Sequence, residues 1–104
     1  MNIQQQRKEA IYLALAQIPK GKVISYGKLA ALAGLTNGAR LVGKTLCDLP
    51  TGTDLPWHRV INSQGKISLP IDSESYRKQC QRLTKENVEI VNGKINLKKF
   101  GWLE

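Results

Sequence analysis

Histidine occurs once in this chain of 104 residues, phenylalanine once and cysteine twice. Cys47 and Cys80 have no CxxC spacing, and with His58 as the only imidazole the ligand set argues against a zinc site. No metal and no cofactor is therefore expected. Both cysteines are read as reduced, partly buried thiols, with a disulfide between them as the minor alternative. No apolar run approaches the roughly 20 residues that span a bilayer, and residues 1–7 lack an apolar signal-peptide core, so the expectation is a cytoplasmic protein without a membrane partner. Acidic side chains are also short. Eight Asp and Glu stand against sixteen Lys and Arg, for a formal charge of +8. On so small a chain this excess favours a polyanionic partner, nucleic acid first, the alternative being a basic solvated surface. The basic residues are scattered, which suggests a docking face and not a disordered arm. There are no repeats and no low-complexity tracts. The hydrophobic fraction of 41% suits one small domain over residues 1–104.

Periodicity predicts a mainly α protein with small β elements. Apolar residues at Ala10, Ile11, Leu13, Ala14, Leu15 and Ile18 mark an amphipathic helix over 4–17, stopped by Pro19 and Gly21. Ser25 is a candidate N-cap for a short helix over 26–33, closed by Gly34. Thr36 or Asn37 is read as the cap of a second helix over 39–46. Two short helices joined by a Gly-containing turn make a helix-turn-helix over about 25–47 in a winged-helix-like domain. Arg40 falls in the first turn of the second helix, the part that meets DNA in such motifs. A loop over 49–56, a turn at 62–67 with a short strand after it, and a helix over 74–87 capped by Asp72 or Ser73 follow. Val88 to Val91 and Lys94 to Leu97 flank Asn92-Gly93, a two-residue hairpin signal within the tail 88–104. Phe100 and Trp102 are read as folding back over the core, the alternative being a contact of Trp102 with DNA or a partner.

Pro56-Trp57-His58-Arg59-Val60 carries the chemistry. Alone, it reads as a core tryptophan and a histidine satisfied by the backbone. In its context it resembles more. The motif is similar to the Pro-Cys-His-Arg-Val signature of the O6-alkylguanine-DNA alkyltransferases. Ile18-Pro19-Lys20-Gly21 and Ser25-Tyr26-Gly27-Lys28-Leu29-Ala30 match that family's helix-turn-helix entry, and Ala39-Arg40-Leu41-Val42-Gly43 its recognition helix. The segments run in register over about residues 9–70. With Trp57 in place of the cysteine, the chain resembles the alkyltransferase-like relatives of those enzymes, and their C-terminal DNA-binding domain specifically.

The resemblance implies roles. The recognition helix enters the minor groove of double-stranded DNA, and Arg40 fills the stack where the target base left. Tyr26 crowds the 3′ phosphate and helps rotate the nucleotide out. The flipped base enters a pocket assigned to Tyr26, Trp57, His58 and Arg59, while Gly38, Ala39 and Gly43 permit close approach to the backbone. The implied activity is binding of O6-alkylguanine without alkyl transfer, by a monomer that is nucleoid-associated when on DNA. The implied outcome is a mark for bacterial nucleotide excision repair proteins such as UvrA. Transfer needs a thiolate, and indole offers no comparable nucleophile. No catalytic residue is therefore assigned. His58 is left with a structural role, no carboxylate is placed beside it, and neither Cys47 nor Cys80 matches the pocket position. Ser68-Leu69-Pro70-Ile71-Asp72 replaces the enzymes' base-closing run, their active-site asparagine has no match near Leu49, and their N-terminal domain has no counterpart. Both site losses fit relaxed catalytic geometry and a wider pocket. Two other readings compete: an enzyme acting on the flipped base (lyase, glycosylase or residual alkyltransferase), and a sequence-specific helix-turn-helix regulator.

Overall fold

A computed structural model describes residues 2–103. α1, Ile3–Ala16, starts where the Asn2 side chain accepts the Gln5 N–H at 2.8 Å. Its buried positions Ile11, Ala14 and Leu15 lie on one face, which Ile18 continues past the helix end. β1, Ile24–Ser25, leads directly into α2, Tyr26–Leu32, whose cap is the Ser25 hydroxyl accepting from the Lys28 N–H. Gly34, at φ +80°, closes α2 by bonding back to Ala31, while Leu35 bonds back to Ala30. That paired closure turns the chain sharply towards α3, Ala39–Cys47.

The start of α3 differs from expectation. Neither Thr36 nor Asn37 caps it; Gly38 is the cap residue and supplies no side-chain bond. A Cβ on Gly38 would lie 2.9 Å from the Leu35 Cβ and 3.2 Å from the Ala30 Cβ. The turn hugs α2 too closely for a side chain, so packing decides this residue and capping chemistry does not.

After a 3-10 turn over Trp57–Arg59, β2, Val60–Ile61, pairs parallel with β1, placing Ile24 opposite Val60 and Ser25 opposite Ile61. The small sheet divides the core. Ile24 and Val60 join Ile11, Leu15, Leu29 and Val42 on one side; Val23 and Ile61 join Ile67, Leu83, Val88 and Ile95 on the other. Alternation of side chains along a strand produces this division.

α4, Glu74–Lys85, is capped by the Ser73 hydroxyl accepting from the Tyr76 N–H; Asp72, at φ +66°, is not the cap. Asn87 takes a left-handed φ of +65°, with Val88 bonded back to Leu83 and Asn87 to Thr84, the closure seen at Gly34. Asn92-Gly93 forms the expected tight turn, with φ of +53° and +75°, but Val91 and Lys94 make the only bridge across it. The predicted strands around it do not form. The Ile95 N–H bonds the Gly65 carbonyl instead, Lys66 bridges Lys94 in place of a strand after the 62–65 turn, and Asn96 caps α5, Leu97–Phe100. The tail then returns to the sheet, where Val23 accepts from Trp102 at 2.7 Å and donates to Phe100 at 2.9 Å. Trp102 packs on the first half-core and Phe100 on the second. No helix among the described residues is long and apolar enough to cross a membrane.

Candidate nucleic-acid interface

The pentapeptide is fastened from two sides. Gln79 of α4, only 3% exposed, donates both amide protons, one to the His58 carbonyl at 3.1 Å and one to the Val60 carbonyl at 3.0 Å. Glu86, the C-cap of α4, gathers the side chains. It accepts from Arg59 Nε at 2.9 Å and Nη2 at 2.6 Å, from His58 at 2.8 Å and from the Gly21 N–H at 3.3 Å. Arg59 Nη1 also donates to the Ile18 carbonyl at 2.7 Å. One carboxylate thereby joins the end of α1, the Gly21 turn, the pentapeptide and the end of α4 through charge-assisted bonds.

The electrostatics of this hub are one-sided. Burial alone would raise the Glu86 carboxyl, but the bonds from Arg59, His58 and Gly21 outweigh it and hold the group at about 2. Burial pushes His58 below its ordinary value, against the pull of Glu86. At neutral pH an ionised Glu86 therefore faces a neutral imidazole, so Nε2 carries the proton and donates it to the carboxylate. Nδ1 is left as a bare, buried acceptor without a partner among the described residues.

Beside the hub lies a concavity of about 340 Å³. Tyr26 of α2, Gly43, Leu46 and Cys47 of α3, and Trp57 with Leu69 form much of its wall. The loop 49–53 and Ser75, Lys78, Gln79 and Arg82 of α4 complete it. The volume falls near the lower end of ligand sites, roughly 300–1,000 Å³. Trp57 is half-buried; His58 meets it edge-on with ring centres 6.2 Å apart, and the Arg82 guanidinium sits 5.3 Å from the centre of its ring. Burial raises the Tyr26 phenol, opposed by a hydrogen bond from Ser68 and reinforced by Cys47 nearby.

Of the four residues grouped as a pocket from sequence, Tyr26 and Trp57 line this concavity; His58 and Arg59 do not, their side chains being spent on Glu86. Arg40, the second residue of α3, is exposed, as is Ala39. Gly43 faces the concavity, and a Cβ there would meet nothing within 4 Å, so no internal contact demands its glycine. Gly38 is the opposite case, required by the packing of α2 against the turn. Cys47 corrects two expectations. It is exposed and not partly buried, and it does line the concavity. Cys80 is half-buried against the second half-core, and both thiols are free.

Sequence reasoning missed Glu86, Gln79 and Arg82. The available signal was spacing: Ser75, Gln79, Arg82 and Glu86 recur at four, three and four residues, one polar face of a helix. The motif itself places no carboxylate beside His58; packing brings one there, Glu86, 28 residues further along the chain.

With this geometry in view, the relatives are informative. A sequence family described as "6-O-methylguanine DNA methyltransferase, DNA binding domain" matches residues 6–88. A protein of Vibrio parahaemolyticus named "DNA base-flipping protein" is 50% identical over 93 residues, covering 88% of this chain and 91% of its own. "Alkyltransferase-like protein 1" of Schizosaccharomyces pombe is 41% identical over 97 residues, covering 88% of this chain and 90% of its own. The crystal structure of S. pombe Atl1 with damaged DNA containing O6-carboxymethylguanine superposes with a TM-score of 0.89 at 38% identity, over 100% of both chains. The mainly helical fold with its small two-stranded sheet is thus that of the DNA-binding domain of the 6-O-methylguanine-DNA methyltransferases, and the chain belongs to that family, among its alkyltransferase-like members.

Proposed function

We propose that this protein binds O6-alkylguanine in duplex DNA, flips the damaged nucleotide into the concavity beside Trp57, and holds it there without removing the alkyl group. One observation carries the reading: Trp57, an indole standing where the resemblance puts the alkyl-accepting thiol, lines the same concavity as Tyr26. Alkyl transfer requires a sulfur anion to displace guanine from carbon, and indole cannot supply it. An aromatic face does what binding requires. Unstacking a base costs a few kcal/mol, and stacking on an aromatic ring returns about 1–3 kcal/mol. In this reading Arg40, exposed at the start of α3, fills the vacated stack, and Tyr26 crowds the backbone of the target nucleotide. The names and DNA complexes of the relatives support the binding and flipping steps. The later step, a handoff of the held lesion to nucleotide excision repair proteins such as UvrA, follows from a site that holds damage it does not mend.

The position of Cys47 favours one second reading, a residual alkyltransferase using that thiol. Intact-mass spectrometry after incubation with an O6-methylguanine duplex separates the two. The expected result is lesion-selective binding and an unmodified protein. A methyl group on Cys47 would establish transfer, and equal affinity for damaged and undamaged duplexes would remove lesion recognition.

A further inference from the structure

We infer that the concavity selects O6 substituents that end in a negative charge, and that Arg82 is the residue that reads the charge. The inference rests on the lesion-binding reading above and adds to it the chemistry of the substituent. Arg82 is half-buried on α4, with its guanidinium 5.3 Å from the centre of the Trp57 ring. Among the described residues it donates no hydrogen bond and enters no ion pair; the face of Trp57 is what it touches. Arg59 provides the contrast within the same chain, with Nε and Nη2 on Glu86 and Nη1 on the Ile18 carbonyl. A guanidinium is always charged and carries five donors, and polar groups withdrawn from water normally find acceptors. Arg82 has lost part of its hydration and keeps its donors unspent, the condition of a group whose acceptor arrives from outside.

Within the concavity the charges agree in sign: Lys78, one turn earlier on α4, lines it, and no acidic side chain among the described residues does, Asp54 lying in the neighbouring hollow that Arg82 also borders. Both Trp57 and Arg82 line the concavity, and the guanidinium lies 5.3 Å from the centre of the indole, so an occupant beside Trp57 has Arg82 within reach. A carboxylate on that occupant gains a charge-assisted bond that a neutral group of the same size gains only weakly. A backbone phosphate of the flipped nucleotide offers the same anionic chemistry, so the test must hold the phosphates constant while the substituent changes.

Three duplexes identical but for one base achieve this: guanine, O6-carboxymethylguanine and its neutral amide, O6-carbamoylmethylguanine. Affinities are measured by fluorescence anisotropy for the unaltered protein, Arg82→Gln and Lys78→Met. The unaltered protein should bind the acid roughly tenfold or more tighter than the amide, the scale of one hydrogen bond to a charged group. Arg82→Gln should bring that ratio close to one, the acid losing more affinity than the amide. Lys78→Met should shrink the ratio less. Since Arg82 makes no internal hydrogen bond, its replacement should leave the thermal midpoint nearly unchanged. A ratio of one in the unaltered protein overturns the inference. So does an Arg82→Gln variant weakened equally on all three duplexes, which would assign the guanidinium to a phosphate. Should neither adduct bind better than guanine, the lesion-binding reading itself falls, and the charge preference with it.

Discussion

Replacing Glu86 by glutamine tests the hub that holds the pentapeptide in place. The carboxylate accepts four donors, and its side chain is only 10% exposed, against 16% for Arg59. A carboxyl held at about 2 instead of the ordinary 4.5 corresponds to about 3 kcal/mol favouring the folded state at neutral pH. Removing one partner of a buried ion pair gives a similar figure of roughly 3–5 kcal/mol, because the other charge is stranded. Against a total stability of about 5–15 kcal/mol, that is a large share. The sign follows from the direction of the shift. A depressed carboxyl stabilises above its unfolded value and loses that contribution as pH falls, here from about 4.5 down to about 2. His58 adds to acid sensitivity at higher pH: its folded value lies below the ordinary 6.5, so protonation of the unfolded chain draws stability away as pH drops below that point. Urea unfolding of the unaltered protein and Glu86→Gln at pH 7, 5, 4 and 3 measures both effects. At pH 7 the variant should be about 3 kcal/mol less stable, and the two curves should converge as Glu86 itself takes up a proton. A gap that stays constant from pH 7 to 3, or a loss under about 1 kcal/mol at pH 7, would refute the assignment of this stability to an ionised Glu86.

Five other outcomes are accessible. Gln79→Leu strands the His58 and Val60 carbonyls; at about 1–3 kcal/mol per unsatisfied group, urea titration should show a loss of at least about 2 kcal/mol. Gly38→Ala should cost about 1–3 kcal/mol by overpacking Leu35 and Ala30, read as a lower thermal midpoint. Gly43→Ala, where a Cβ meets nothing in the interior of α3, should raise stability by about 0.5–1 kcal/mol and weaken duplex binding. Arg40→Ala should abolish the preference for a lesion duplex while keeping most affinity for undamaged DNA. Tyr26→Phe should slow nucleotide extrusion modestly, followed by fluorescence of 2-aminopurine placed at the target position.

Local chemistry made much of the fold legible. Ser25 before an apolar run and Gly34 after it delimit α2, because a hydroxyl cap and a left-handed closing residue are short-range requirements. Asn92-Gly93 identified its turn for the same reason, yet the strands it promised were not built. Gly65 and Asn96, distant or preoccupied in the chain, took the backbone partners those strands needed. The cap of α3 was misjudged because the crowding at Gly38 comes from Ala30 and Leu35 in three dimensions.

By itself, the sequence determined which chemistry is available: an indole in the Pro56–Val60 motif, an arginine at the start of the second helix of the helix-turn-helix, and a net positive charge. It also determined the helical order, since periodicity and caps act over a few residues. Tertiary structure alone decided which side chains share a wall. It withdrew His58 and Arg59 from the concavity and gave them to Glu86, it brought Cys47 into that concavity, and it laid Arg82 against Trp57 from a helix 25 residues away. The physical reason is that hydrogen bonds and ion pairs between separate helices depend on how those helices pack, and packing is settled by the buried apolar faces, not by the spacing of the polar residues they carry.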